Sequence, residues 1–346
     1  MEKKGLFWIC IVLACCILSA SVLTNAYAQD KVYQWKWYTP YTLTLSPTMD
    51  QLPKMIEQKT KGQVKVKLYV GGEHSFQGPD MPRAIKTGSC QMADILGAYC
   101  VGLDPLLGAS DLPFFPNSAE EEDALIAEVL KDNYTKFYNE HGMLPLATYP
   151  FPGQSIVASV ALKDFDSYKG KKIRIFNKTS ADMVVVLGGS PVTTPSAEMY
   201  SALQRGVVDG GSGSTFGQVA QRTVEVAKFL TRTHAYGQGN TWTVTVSKAA
   251  FGELPPDLQT KVREAAAEYQ AFARQKQHEL DAWAVKEAVD KYGVTVNAVS
   301  PAFREQIREK MRKGCWEKWA EPIPGGMELL AKMEKFHQEW AKKQQK

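Results

Sequence analysis

Two hydrophobic periods take turns along the first third of the chain. In Gln63–Val70, Val64, Val66 and Leu68 alternate with Lys65, Lys67 and Tyr69, the period of two expected of a strand with one wetter face. Tyr33–Tyr38 and Gln91–Leu96 read as further strands. Between them, Ser46-Pro47 offers an N-cap residue and a proline at the first helical position, Pro53 interrupts the pattern, and Gly62 closes it. Pro79–Thr87 reads as a short helix ending at Gly88. This β-α-β-α-β rhythm predicts a mostly parallel α/β sheet.

The middle of the chain repeats the rhythm. Lys171–Ile175 reads as a strand, and Ser180 as the cap of a helix running through Leu187 to Gly188-Gly189. Pro191–Thr194 is a short strand, Ser196 caps a helix over 197–205, Val207-Val208-Asp209 is strand-like, and Phe216–Phe229 is helical. Trp242–Val246 alternates as a returning strand. After Pro255-Pro256 comes a helix of unusual length, roughly Asp257 to Tyr292. Near the end, Leu329, Leu330, Met333, Phe336 and Trp340 fall at helical spacing. That stripe must be buried, either on its own lobes, which the reading favours, or in a dimer contact. No Gly-, Ser- or Pro-rich linker divides the chain, so two interleaved α/β lobes fit better than two separate beads. In such sheets ligands bind beyond the carboxyl ends of strands, and a cleft between lobes is a preferred small-molecule site.

The first 28 residues stand apart. Lys3 and Lys4 precede an apolar run from Gly5 to Leu23, and Ala26-Tyr27-Ala28 forms an A-x-A site before Gln29. This is the pattern of a secretory leader cleaved after Ala28, with a membrane anchor as the alternative. Cys10, Cys15 and Cys16 leave with it. Of the remaining Cys90, Cys100 and Cys315, only Cys90 and Cys100 are close enough in sequence to suggest a bridge; otherwise all three are small buried hydrophobes.

Composition narrows the function by exclusion. With 41 Lys+Arg against 37 Asp+Glu, the net charge of +4 is too weak to argue for nucleic acid. No G-x-S-x-G, Walker A, H-E-x-x-H or Rossmann glycine fingerprint occurs, and no Cys/His spacing suits zinc. No cofactor, metal or catalytic group is therefore expected. Gly210-Gly211-Ser212-Gly213-Ser214 is glycine-rich but lacks the lysine of a phosphate loop.

One resemblance is positive. "YKGKKIRI" (168–175) followed by "LGGSPVTTPSAEMYSALQRGVVDG" (187–210) resembles the solute-binding receptors of tripartite ATP-independent periplasmic (TRAP) transporters, the DctP type. The matching positions are Gly170, Lys172, Arg174, Leu187, Gly188, Pro191, Glu198, Tyr200, Leu203, Gly206, Asp209 and Gly210. "GQVKVKLYVGGE", "AIKTGSCQMADI", "DLPFF" and "LPPDLQTKVREAAAEYQ" extend the likeness, in order, over nearly the whole chain after the leader. The resemblance implies a two-lobed periplasmic-binding-protein fold with a ligand cleft between α/β lobes and a long bracing helix. On this reading residues 1–28 are the leader, 29–150 mainly lobe one, 151–245 mainly lobe two, and 246–346 a return segment with the long helix and the C-terminal helices. It also implies a periplasmic receptor that hands a small organic acid to the membrane subunits of a TRAP permease, unchanged and without ATP. An ABC-importer receptor and a periplasmic enzyme are the alternatives.

The same resemblance proposes a site. Arg174 corresponds to the arginine that pairs with a ligand carboxylate, a task suited to the planar guanidinium fork. Where many members carry a second arginine, this chain has Gln154, whose amide can donate to a carboxylate or keto oxygen. Where members usually carry Glu and then Asn or Trp, it has Ser212 and Gly213, leaving Ser212, Ser214 or Phe216 to supply contacts. Tyr38, Tyr41, Phe76 and Tyr99 are candidate walls from lobe one, and Glu198 and Asp209 read as structural.

Overall fold

The computed structural model describes residues 31–43, 46–151, 153–236 and 241–344. The expected leader and its cleavage site lie outside the described residues. The chain builds two sheets. The first has five strands in the order β2-β1-β3-β10-β4: β1 (Tyr33–Tyr38), β2 (Val64–Tyr69), β3 (Met92–Ile95), β4 (Met143–Pro150) and β10 (Thr241–Ser247). The second has six in the order β11-β9-β5-β8-β6-β7: β5 (Gln154–Ala158), β6 (Lys172–Ile175), β7 (Ser190–Thr193), β8 (Gly210–Ser214), β9 (Phe229–Arg232) and β11 (Thr295–Ala298). Each sheet is the centre of one lobe.

The sheets are mostly parallel, as the β-α-β rhythm predicts, with one antiparallel strand in each. β10 runs antiparallel to β3 and β4, and β5 runs antiparallel to β8 and β9. The reason is connectivity. β5 and β10 each follow a direct crossing from the other lobe, without the helical crossover that a parallel neighbour in one sheet needs.

Several local readings also shift by a turn. The first helix begins at Gln51, not at Ser46-Pro47. Pro53 therefore sits in its first turn, where no intrahelical N–H bond is lost. Asn177 caps the helix Lys178–Leu187, its Oδ1 accepting Ser180 N at 2.8 Å, while Ser180 Oγ reciprocates to Asn177 N at 3.0 Å. Val207-Val208-Asp209 is not a strand; it leads into β8. The stretch Phe216–Phe229 divides into a helix Thr215–Ala220, a 3-10 turn Thr223–Glu225 and the start of β9.

The long helix, Pro256–Asp290, braces both lobes. Leu258, Val262, Ala265, Ala266, Tyr269 and Ala273 join the core on the first sheet, and Ala284 and Ala288 join a core on the second. Alanine at the contact positions lets its backbone approach both sheets. The C-terminal helix Gly326–Gln344 lays Leu329, Leu330, Met333 and Phe336 into the core beside the second sheet, with Trp340 at its edge. The apolar stripe is thus covered by its own chain. Cys90, Cys100 and Cys315 are all free and buried, so the suggested Cys90–Cys100 bridge is absent. Cys90 and Cys100 instead pack among Met81, Ile85 and Phe137 as small hydrophobes. Among the described residues no helix is long and apolar enough to cross a membrane.

Candidate functional site

A cavity of about 140 Å³ lies where the two lobes meet. Its second-lobe wall is built on β6 and β8. Arg174 is the third residue of β6, facing Gly211 of β8 on one side and Val192 of β7 on the other. The bare β8 strand is a packing requirement. A Cβ on Gly210 would fall 2.9 Å from Ile173 Cδ1 and from the Val157 carbonyl, and one on Gly211 would fall 2.4 Å from Met199 Sδ. Asp209 locks the base of this wall: its Oδ2 accepts Lys172 N at 2.8 Å and its N donates to the Lys172 carbonyl at 2.7 Å.

Arg174 is 6% exposed. Its Nε donates to the Thr194 carbonyl at 2.8 Å and its Nη1 to the Ser212 carbonyl at 3.0 Å. These bonds fix the plane of the guanidinium. It forms no salt bridge with a carboxylate among the described residues, and it is the one fully charged side chain among those lining the cavity. Burial pulls its pKa below the ordinary arginine value, and the nearby Tyr99 and Tyr41 phenols oppose that. A buried cation without its counter-charge is costly, and an anion in the cavity would offset that cost.

Gln154 enters from the crossing between lobes. Its carbonyl accepts Thr233 N at 3.1 Å, His234 N at 3.0 Å and Thr233 Oγ1 at 3.2 Å. The start of β5 is therefore held by the second crossing, and Arg304 ties down that crossing through the carbonyls of Thr233 (3.0 Å) and His234 (3.2 Å). The Gln154 side chain lines the cavity at 7% exposure and has no hydrogen bond among the described residues. By contrast, Gln218 is committed: its Nε2 donates to the Gly211 carbonyl at 3.0 Å and its Oε1 accepts Thr223 Oγ1 at 2.6 Å. Gln221 is bonded to Ser196.

The first-lobe wall is aromatic. Trp242 of β10, 1% exposed, is met edge-on by Tyr41 (4.8 Å, 82°) and by Tyr99 (5.6 Å, 79°), and Phe151 closes on Tyr41 at 4.9 Å. Phe176 and Met199 add apolar surface from lobe two.

Of the residues singled out in the sequence, Arg174, Gln154, Gly213, Ser214 and Tyr99 are brought together around this cavity, and Tyr41 joins them. Four candidate contacts do not line it, Phe76 among them, which packs beside Tyr38 at 5.9 Å. Tyr38 stacks on His74 at 4.5 Å within the first-lobe core. Phe216 packs into the core beside the second sheet and against Trp283. Ser212 contributes its carbonyl to Arg174, not its side chain to the cavity. Each is held by its own packing: Tyr38 by His74, Phe216 by Trp283 and the core of its lobe, and Ser212 by the pairing of β8 between β5 and β6. Trp242, Phe151, Phe176 and Met199 were missed, because apolar side chains on strands and turns read as core until the lobes are assembled.

Residues 40–321 match the family model of bacterial extracellular solute-binding protein, family 7. A solute-binding protein of Albidiferax ferrireducens is 26% identical over 284 residues, covering 80% of this chain and 81% of the relative. The 2,3-diketo-L-gulonate-binding periplasmic protein YiaO of Escherichia coli is 26% identical over 286 residues, covering 80% and 83%. Among solved structures, a TRAP periplasmic solute-binding protein of Ochrobactrum anthropi superposes with a TM-score of 0.81 at 22% identity, covering 91% of this chain and 98% of that one. A Bordetella pertussis extracytoplasmic solute receptor binding pyroglutamic acid superposes with a TM-score of 0.76 at 19% identity, covering 88% and 100%.

Proposed function

The chain belongs to family 7 of the bacterial extracellular solute-binding proteins, and from that premise we propose that it is a TRAP-type receptor for a small organic acid carrying one carboxylate. The observation that carries the reading is Arg174: a buried, hydrogen-bonded guanidinium facing an interlobe cavity, with no salt-bridged carboxylate among the described residues. One cation calls for one anionic group. The volume of about 140 Å³ falls below the roughly 300–1,000 Å³ of pockets for drug-sized ligands, which favours a compact acid. The uncommitted Gln154 amide suits a hydroxyl or keto oxygen on that acid, and the aromatic wall suits its apolar body.

The receptor captures its ligand by closure of the lobes about the crossings that join β4 to β5 and β9 to β10, and leaves it chemically unchanged. It delivers the acid to the membrane subunits of an ion-gradient-driven permease. Residues 1–28 direct export and are removed after Ala28, so the working protein is periplasmic. It acts as a monomer, because the C-terminal apolar stripe is buried within its own chain. Mass spectrometry of small molecules released from the purified, denatured protein tests the ligand class. A carboxylic acid released in near-stoichiometric amount is expected; a ligand without an acidic group would overturn the reading.

A further inference from the structure

Tyr41 and Tyr99 reach the cavity from separate loops of lobe one, yet their hydroxyls lie 3.2 Å apart. The arrangement is built, not incidental. Tyr41 is wedged between Phe151 and Trp242, and Tyr99 ends a 3-10 turn, Gly97–Tyr99, beside the same Trp242. Gly78 must lack a side chain for Tyr99 to lie there, since a Cβ would fall 2.1 Å from Tyr99 Cδ2. Each phenol has one proton. The hydroxyl–hydroxyl bond uses one of the two, and neither hydroxyl bonds another group among the described residues. The pair therefore has one proton to offer to a third partner. Both tyrosines line the same cavity as Arg174 of the opposite lobe, so donor pair and cation face the same space.

We propose that the Tyr41–Tyr99 hydroxyl pair is the lobe-one half of a carboxylate clamp. The ligand carboxylate seats on Arg174 of lobe two and accepts the pair's spare proton as a hydrogen bond from lobe one, so one anionic group draws the lobes together. This rests on the reading of Arg174 as the ligand's counter-charge. The pair favours an ionised carboxylate because a hydrogen bond to a charged acceptor is about twice as strong as one to a neutral acceptor.

The test uses pyruvate, pyroglutamate, orotate and glucuronate as probes with the full mature chain, and carries forward the one that binds most tightly by calorimetry. The double variant Tyr41→Phe/Tyr99→Phe is expected to bind roughly ten- to hundredfold more weakly. At saturating probe, small-angle scattering should show less compaction than in the parent. Its ligand-free melting temperature should stay close to the parent's, because both rings remain in place. A double variant that binds within twofold and compacts fully overturns the clamp. Arg174→Ala separates the two claims: if it binds like the parent, or if none of the four probes binds the parent, the carboxylate reading beneath the clamp fails. If Arg174→Ala loses binding while the double tyrosine variant does not, the clamp alone fails.

Discussion

Arg174 donates Nη1 to the carbonyl of Ser212 at 3.0 Å, tying the guanidinium on β6 to the backbone of the neighbouring glycine-rich strand. With Nε on the Thr194 carbonyl, the side chain is oriented before any ligand arrives. Preorganisation of this kind lowers the ordering cost of binding.

Removing the side chain should therefore act on affinity far more than on folding. Truncating one partner of a buried charge pair costs roughly 2–5 kcal/mol. Arg174→Ala should weaken carboxylate binding by roughly thirtyfold to several thousandfold. Arg174→Lys should recover only part, because an ammonium cannot reproduce the fork. Calorimetry with the identified acid, beside ligand-free thermal melts, checks both halves. Binding within about threefold of the parent would remove Arg174 from the site.

Gly213 lines the cavity without a side chain. Its backbone is not in the left-handed region, and a Cβ there would meet only Gln218, at 3.2 Å from Nε2, with open space otherwise. Gly213→Ala should fold with little loss of stability while intruding on the cavity. Overfilling a fitted site costs roughly 1–3 kcal/mol, so the identified acid should bind about five- to hundredfold more weakly. A shorter acid of the same class should be affected less. Equal losses for both acids would show that Gly213 does not limit ligand size.

How legible all this was from the sequence depends on what each element is made of. β2 and β10 carry alternating apolar residues and were read within a residue or two. β8 was not, because its glycine and serine residues have no strand preference; pairing with β5 and β6 makes it a strand, and the clashes at Gly210 and Gly211 explain why it is glycine there. β5 went unread as a strand because it is buried on both faces, and such a run has no period to detect; β4 carries Pro145 and Pro150, and β11 is only four residues long. Arg174 was legible through the family likeness and its place near the end of a strand. Trp242 was not, because nothing local distinguishes an aromatic at a lobe interface from one in a core. The three thiols were half legible. Spacing alone left a Cys90–Cys100 bridge open, and packing closes it.

The free thiols give a direct check. Burial pushes Cys90, Cys100 and Cys315 up to about 12, far from the reactive thiolate range. Iodoacetamide should label none of them in the folded protein at pH 7.5 and all three after unfolding in guanidinium. Reductant should leave the melting temperature unchanged. Incorporation of one carbamidomethyl group instead of three after unfolding without reductant would reveal a bridge.

The last prediction concerns Asp94 of β3, which is fully buried and accepts Trp37 Nε1 on Oδ1 at 3.1 Å. Burial pushes its carboxyl up to about 7, against the opposing pull of the Thr39, Tyr149 and Trp37 donors beside it. In the unfolded chain the same group titrates near 3.8. The folded state therefore holds the proton more tightly, which fixes the sign of the linkage. Below about pH 4 both states are protonated and Asp94 adds no pH dependence. Between about 4 and 7 the unfolded chain ionises while the folded one does not, so this contribution to stability falls as pH rises. Above about 7 both are ionised and the penalty levels off. Asp94→Asn keeps an acceptor for Trp37 and removes the titration. The melting temperature of the variant minus that of the parent should rise from pH 4 to 7 and then flatten, whatever constant offset the amide introduces. Thermal melts of both proteins at half-unit pH steps measure the difference. A difference that is flat across that window, or that falls, would mean Asp94 is ionised in the folded core at neutral pH.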